Sequence, residues 1–414
     1  MSLVGARFAR VEAFRNACDL VTGLMSDLPR KNCWTIAEHV GHPNPDRLQN
    51  LLFRASWDEN GVRDDLRDYV VTGLGDDEAM LVVDETGDVK KGTRTVGAQR
   101  QYTGTAGRVE NAQVAVYLTY TTSAGHAPID RELYLPKAWT GDDERLTVAG
   151  VPDEVEFATK PELARQMIVR ALDAGVNAGW VAGDEVYGAD PRLRTELEAR
   201  QVGYVLAAAC SHQVDTGAGT QRADQIAKQL PKRAWQQYSA GDGAKGPRLY
   251  QWALVDICDD SDRGGQRWLL IRRNPATGEL AYYRAYSPRP VPLSTLVTIA
   301  GRRWTVEETF QAGKGLCGLD EHQVRTWTSW RRWTILSMLA HAFLAVTAAR
   351  QRSAPSDTDD KLVPLTCNEI QHLINVLTRP RINRRQCLHW STWRRQHQHR
   401  SRLCHYQHRT AGQV

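Results

Sequence analysis

The chain has 414 residues, 42% of them hydrophobic and 24% charged, with a formal net charge of +5. That composition excludes a disordered or fibrous chain and points to a globular protein of two or three domains. Its eight cysteines are scattered with no C-x-x-C pair, which argues against a disulfide framework or a zinc ribbon. No apolar run reaches the roughly 18 residues of a membrane span. The stretch Met1-Ser2-Leu3-Val4 lacks the apolar core of a secretion signal. The expectation is a cytoplasmic protein with no membrane contact.

Residues 11–72 read as helical. Apolar positions recur at helical spacing over 10–25, and a helix over 34–41 is followed by a Pro-containing break and a second over 46–52. Helix, Gly-centred turn and helix resemble a helix-turn-helix, a pattern a plain helical bundle shares. Near Glu78 the grammar changes. Ala79-Met80-Leu81-Val82-Val83-Asp84 is an apolar run closing on a carboxylate, as in a buried central strand. A polar, Gly-rich segment with Lys90, Lys91, Arg94, Arg100 and Arg108 follows, then strands over 113–120 and 129–136. Short links make these antiparallel neighbours.

A helix over 160–174 has Pro161 in its first turn and Gly175 at its end. Trp180-Val181-Ala182-Gly183-Asp184 is another strand ending in a carboxylate, followed by a helix over 191–200 and a strand over 204–209. The order βββαβαβ predicts an α/β fold with a mixed sheet and flanking helices. From 211 to 290 Asp/Gly turns separate three further strands, over 249–255, 267–272 and 280–284. Residues 301–314 read as one helix, with Trp304 and Phe310 toward a core and Arg303, Glu307 and Lys314 along one stripe. The same spacing also describes a solvated face with an Arg–Glu pair. Apolar-faced helices over 328–349 and 368–377 close the pattern.

Beyond Glu369 the chain has no acidic residue but nine arginines, from Arg379 to Arg409, interleaved with Trp390, Trp393, Tyr406 and five histidines. Arginine mixed with aromatics suits a nucleic-acid backbone and exposed bases; a basic tail without a defined partner is the competing reading. A zinc site from these histidines with Cys387 or Cys404 lacks standard ligand spacing. His126 and His212 read as surface residues.

Two strands of one sheet ending in Asp84 and Asp184 can present both carboxylates at one edge, and the later helix offers Glu307, with Glu308 as the fallback. Clustered carboxylates repel and raise each other's pKa, a penalty removed by hard, oxygen-seeking divalent cations such as Mg²⁺ or Mn²⁺. Two such ions can serve in-line attack at a phosphodiester. Each carboxylate alone is more simply a turn or cap residue. The nucleotide P-loop, the H-E-x-x-H zinc motif and the G-x-S-x-G elbow are all missing.

These residues resemble the DDE transposases of bacterial insertion sequences, which have a ribonuclease-H-like catalytic fold. The resemblance runs from about residue 10 to 344. It rests on Val83-Asp84-Glu85-Thr86-Gly87 continuing through Lys90-Lys91-Gly92 to Arg100-Gln101-Tyr102-Thr103-Gly104, on Asp184-Glu185-Val186-Tyr187-Gly188, and on Arg303-Trp304-Thr305-Val306-Glu307-Glu308-Thr309-Phe310. It implies that Asp84, Asp184 and Glu307 are catalytic, metal-binding carboxylates for two Mg²⁺ or Mn²⁺ ions. Arg303 and Lys314 match the R and K of a Y-R-E-K signature whose cations hold a DNA end, while its tyrosine position is Ala300. Lys90, Lys91 and Arg100 would line the DNA channel.

The implied function is cut-and-paste transposition: cleavage at terminal inverted repeats and joining to target DNA, by two copies of the chain on double-stranded DNA, near the bacterial nucleoid. A DNA-binding regulator without the reaction, and a nuclease that cuts without joining, are the rivals. The expected organisation is a helical, possible DNA-binding region (1–75), a catalytic domain in two parts (76–210 and 291–350), a β-rich insertion between them (211–290) and a C-terminal helix with a basic tail (351–414).

Overall fold

A computed structural model describes residues 1–217, 219–243, 246–258, 264–353, 364–378 and 383–411. In chain order, the helices α1 (Val11–Leu24), α2 (Cys33–His39), α3 (Asp46–Phe53) and α4 (Glu59–Leu74) precede β1 (Met80–Val89), β2 (Gln99–Thr103), β3 (Arg108–Thr121) and β4 (His126–Leu133). Next come α5 (Lys137–Thr140), α6 (Asp143–Ala149), α7 (Lys160–Asp173), β5 (Trp180–Gly183), α8 (Glu185–Gly188), α9 (Pro191–Ala199) and β6 (Gly203–Ala208). They are followed by β7 (Gln213–Thr216), β8 (Gly219–Arg222), α10 (Ala223–Gln229), β9 (Gln236–Gly243), β10 (Gly246–Asp256), β11 (Gln266–Arg273) and β12 (Leu280–Ser287). Five helices end the chain: α11 (Leu293–Arg302), α12 (Thr305–Cys317), α13 (Trp327–Ser353), α14 (Cys367–Thr378) and α15 (Arg384–Ala411). The chain divides into two compact units, one of residues 66–311 and one of residues 1–65 with 312–414.

The unit 66–311 is built on one ten-stranded sheet in the order β2-β3-β1-β5-β6-β12-β11-β10-β9, with β4 also paired to β3. β3 is antiparallel to both β1 and β4, whereas β5 runs parallel to β1 and β6 parallel to β5. The inner order β4-β3-β1-β5-β6 is the ribonuclease-H-like mixed sheet that the sequence led us to expect. Met80, Leu81, Val82 and Val83 on β1 are fully buried, because a central strand is covered on both faces. α7 packs on β1, β3 and β4, while α11 packs on β5, β6 and β9.

Four strands escaped the sequence reading: β2, β9 and the pair β7 and β8. β2 lies in the polar segment after β1, where pairing to β3 decides the conformation rather than propensity. β9 is mostly exposed and pairs with β10 at the sheet's end. Of the strands of 211–290, β7 and β8 pair as a separate two-stranded sheet, whereas β9 to β12 join the ten-stranded one, since β12 pairs directly with β6. Their attachment is also ionic. Glu198 on α9 meets Arg267 on β11 at 2.7 Å, both more than nine-tenths buried, and accepts the Tyr204 hydroxyl at 2.8 Å.

In the unit of 1–65 and 312–414, α13 is the core helix, and α1, α3 and α14 pack against it. Its most apolar window has a mean hydropathy of 1.3, long and apolar enough to cross a bilayer by composition, yet 89% of that window is buried in the protein. The expectation that no stretch passes that test is therefore corrected; the apolarity belongs to a helix covered on all sides. The helices expected over 34–41 and 46–52 appear as α2 and α3. Asn32 caps α2 by accepting the backbone N–H groups of Trp34 and Thr35, and the Thr35 hydroxyl reciprocates. All eight cysteines are free thiols.

Glu198→Ala would leave Arg267 buried without its carboxylate, at a cost of about 3–5 kcal/mol. A paired replacement by leucine and methionine should come close to neutral. Denaturant melts of the three proteins check this; a single variant as stable as its parent contradicts it.

Candidate active site

The site grows from the register of two parallel strands. Val83 on β1 pairs with Gly183 on β5, so the next residue of each strand, Asp84 and Asp184, stands at the carboxyl end of the pair. Asp84 is 8% exposed, and its carboxylate accepts the Glu85 N–H at 2.8 Å. Asp184 caps the short helix α8, accepting the N–H groups of Val186 at 2.9 Å and Tyr187 at 3.4 Å. Gly188 lets that turn lie close on the sheet, because a Cβ there would fall 1.9 Å from the Ala207 carbonyl oxygen. Gly87 plays the same part beneath β2, where a Cβ would meet the Thr103 hydroxyl at 2.1 Å. The two halves of the first motif, around Gly87 and around Thr103, are thus in contact.

Burial, and then the charge of Asp184, pushes the Asp84 carboxyl up to about 8. Asp184 is raised by burial first and by the charge of Glu85 second. Arg303 opposes both shifts, and its guanidinium Nη1 lies 3.6 Å from the Asp84 Oδ2. The sign for stability follows. A carboxyl raised in the folded state favours folding fully below pH about 4 and loses that contribution as pH rises toward 8.

The expected continuous helix over 301–314 is corrected here. α11 ends at Arg302, Arg303 and Trp304 form a turn, and α12 begins at Thr305. Thr305 causes the break: its hydroxyl bonds the Arg302 carbonyl oxygen at 2.8 Å, and Glu307 N–H reaches back to Trp304 O at 3.1 Å. Arg303 therefore shares no helical stripe with Glu307. Trp304 is 51% exposed instead of buried, while Phe310 is buried as expected and Val306 is buried as well.

Glu307 is exposed in the first turn of α12. Among the described residues no group of three or more His, Cys, Asp or Glu side chains is set to hold a metal ion, so Glu307 does not close on the two aspartates, nor do the C-terminal histidines form a zinc site. The oxygen-only, mutually repelling pair Asp84 and Asp184 nonetheless fits a hard divalent cation, which would relieve the repulsion that raises Asp84. α12 is fixed close to them: Phe310 packs edge-on against Tyr117 at 5.5 Å, and Tyr117 is the cross-strand partner of Asp84.

Glu308 points elsewhere. It pairs with His126 at 3.4 Å, whose other ring nitrogen meets the Thr309 hydroxyl at 2.7 Å. The hydrogen bond to His126 holds the Glu308 carboxyl below its usual range. His126 is thus half-buried and engaged. His212 is likewise half-buried, with Arg284 at 3.2 Å. Both depart from the surface reading because side chains distant in sequence cover them.

Of the remaining cations, Lys90 is half-buried with its ammonium 3.8 Å from Asp88, and Lys91 and Arg100 are exposed beyond the end of β1 and on β2. Lys314 is half-buried on α12, two turns after Glu307.

Sequence reasoning missed the support beneath the pair. Glu85 turns to the opposite face of β1, as strand alternation requires, and there it meets Lys160 at 2.5 Å and the Tyr187 hydroxyl at 2.6 Å. Burial, then the Glu85 charge, drives the Tyr187 hydroxyl well above its ordinary pKa. The Asp-Glu-x-Tyr spacing that places Tyr187 one helical turn after Asp184 was the available signal.

The sequence profile described as DDE superfamily endonuclease matches residues 4–241. That is more than half of the chain. The chain belongs to the DDE superfamily. A second profile, the transposase DDE domain, matches residues 148–343. The probable transposase for insertion sequence element IS701 of Microchaete diplosiphon is 30% identical over 209 residues, covering 50% of this chain and 52% of that protein. The chain therefore spans about half the length of that curated relative. Among solved structures, a cryo-EM structure of the piggyBac transposase synaptic complex with hairpin DNA is similar with a TM-score of 0.46 and 10% identity, over 92% of this chain and 75% of that one.

If the acid pair carries the repulsion described, Asp84→Asn should stabilise the fold in chelator at pH 8 by an amount on the order of a few kcal/mol, read as a higher Tm. The gain should shrink as the pH falls toward 4. Thermal melts across that range test it, and a gain independent of pH contradicts it.

Proposed function

We infer that the chain is the transposase of a bacterial insertion sequence, cutting DNA at the ends of its element and joining the freed 3′ hydroxyl to target DNA. The observation that carries this reading is the side-by-side placement of Asp84 and Asp184 just past the last residue pair of the parallel β1–β5 ladder. Membership of the DDE superfamily and the likeness to an insertion-sequence transposase support it.

Asp84 and Asp184 would hold the divalent cation, Mg²⁺ or Mn²⁺, and Glu307 is the third carboxylate. Glu307 lies one turn before Phe310, whose ring packs over the strand partner of Asp84, whereas Glu308 is occupied by His126. When bound, a pair of such ions activates the attacking hydroxyl and stabilises the leaving oxygen of a phosphodiester. The protein's own contribution is orientation. The Glu85 N–H fixes the Asp84 carboxylate, the α8 N–H groups fix Asp184, and Lys160 and Tyr187 clamp Glu85 beneath them. Arg303, beside Asp84, offsets its charge in the free protein and is placed to meet a phosphate once the site is loaded. Lys314, Lys90, Lys91 and Arg100 add phosphate contacts, so binding should weaken steeply with salt. Two element ends brought together call for two copies of the chain on double-stranded DNA, in the bacterial cytoplasm beside the nucleoid.

The test is cleavage and strand transfer on DNA carrying the inverted repeats that flank the coding sequence, with Mg²⁺ present. Asp84→Asn, Asp184→Asn and Glu307→Gln should each lower the rate by at least about a thousandfold, in line with removal of a principal electrostatic contributor. Glu308→Gln should stay within about tenfold of the parent. Cleavage without joining would mark a nuclease, and binding without cleavage a regulator; either overturns transposition. Loss on Glu308→Gln with Glu307→Gln active would reverse the assignment of the third acid.

A further inference from the structure

The basic C-terminal segment is folded as one helix. α15 has 28 residues, among them seven arginines, five histidines and no acid. One side docks. The buried Trp390 donates its ring N–H to the His42 carbonyl at 2.9 Å, Gln386 donates to the Glu38 carbonyl at 2.8 Å, and Arg394 pairs with the Glu38 carboxylate at 2.5 Å. Trp34 on α2 packs edge-on against both Trp393 and His397, at 4.6 and 4.5 Å.

Arg395, Arg402 and Arg409 recur every seven residues and fall about 100–140° round the helix from Trp390. All three are exposed. Their backbone positions are about 10.5 Å apart along the axis, and no side chain of opposite sign occurs anywhere on the helix to satisfy them. Tyr406 lies between the last two on the same face and is 59% exposed. A solvated helix usually mixes both signs; this one presents a single sign along an arginine stripe, on a helix whose first half is docked through tryptophans on its other side. Guanidinium groups pair with phosphates bidentately, and an exposed ring between them suits a sugar–phosphate backbone with accessible bases.

We propose that the exposed face of α15, through Arg395, Arg402 and Arg409, is a DNA-backbone-binding surface separate from the carboxylate site. It rests on the reading of the chain as a DNA-processing protein and adds a surface to it. The contact is with phosphates, so it carries affinity and orientation and no sequence preference. The docked side joins α15 to the connection between α2 and α3; His389 also bonds the Pro43 carbonyl there at 2.8 Å.

The experiment measures full-length protein binding to a random-sequence duplex of roughly 30 base pairs over a salt series, since each lost phosphate contact lowers the slope of log affinity against log salt by about 0.9. Arg395→Ala/Arg402→Ala/Arg409→Ala should lower that slope by about 2.7 and weaken binding at least tenfold at about 0.1 M salt. The triple lysine variant should keep the slope, because it keeps the charges. Matching far-ultraviolet circular dichroism of the three proteins confirms that the helix persists. An unchanged slope in the alanine variant overturns the proposal while leaving the transposase reading intact, and equal loss in the lysine variant overturns it as well. Binding to phosphatidylserine vesicles that the alanine variant loses, with DNA binding unchanged, would assign the surface to a membrane instead. A parent protein that binds no DNA would overturn the reading on which the proposal rests.

Discussion

Two carboxylates placed side by side where water is scarce are costly, and the fold of residues 66–311 is arranged so that they stay there. The pairing of Val83 with Gly183 sets Asp84 beside Asp184, and burial adds to their repulsion. A structure that only needed stability would have avoided this, since like charges in a low-dielectric setting destabilise. Backbone donors, Arg303 and the clamp on Glu85 offset part of the cost without removing it. What remains is a pair of perturbed acids, and such residual strain is characteristic of function.

The rest of the unit can be understood as support for that pair. β1 is covered on both faces, so a slip of its register would force four fully buried apolar side chains to exchange faces and repack. α7 brings Lys160 beneath the site, α8 brings backbone donors, and α12 brings an exposed glutamate on a helix braced through Phe310 and Tyr117. β9 to β12 extend the sheet from β6 and are tied to α9 by the buried Glu198–Arg267 pair. In the other unit, a largely buried α13 supplies the core, and a basic helix is docked through its tryptophans with most of its arginines exposed.

Much of this was legible in the sequence. Apolar runs closing on an acid, as in Val83-Asp84 and Gly183-Asp184, exposed both the central strands and their chemistry, because strand burial and a carboxyl at the strand end leave a compact local signature. The helices over 160–174 and 368–377 followed from their periodicity and caps. The failures have physical causes too. The break at Arg303 comes from a threonine hydroxyl competing for a helical carbonyl, which periodicity does not reveal. Burial of His126 and exposure of Trp304 depend on which distant element arrives, and so does the role of Glu85. The basic tail read as either a nucleic-acid contact or an unstructured end, because charge alone does not decide helicity; Trp390 and Trp393 decide it by docking. Arg379 and Arg381 of that tail lie outside the described residues.

The metal seat we propose is the gap between Asp84 and Asp184, and the proton inventory of metal binding tests it most directly. Because burial and the Asp184 charge push the Asp84 carboxyl up to about 8, a cation bound there competes with its proton. Titrating Mn²⁺ into the protein at pH 7, in buffers of different ionisation enthalpy, should show close to one proton expelled per site filled, and Asp184→Asn should abolish the binding. Binding that expels no proton, or that survives in Asp184→Asn undiminished, would contradict the claim that these two acids form the metal seat.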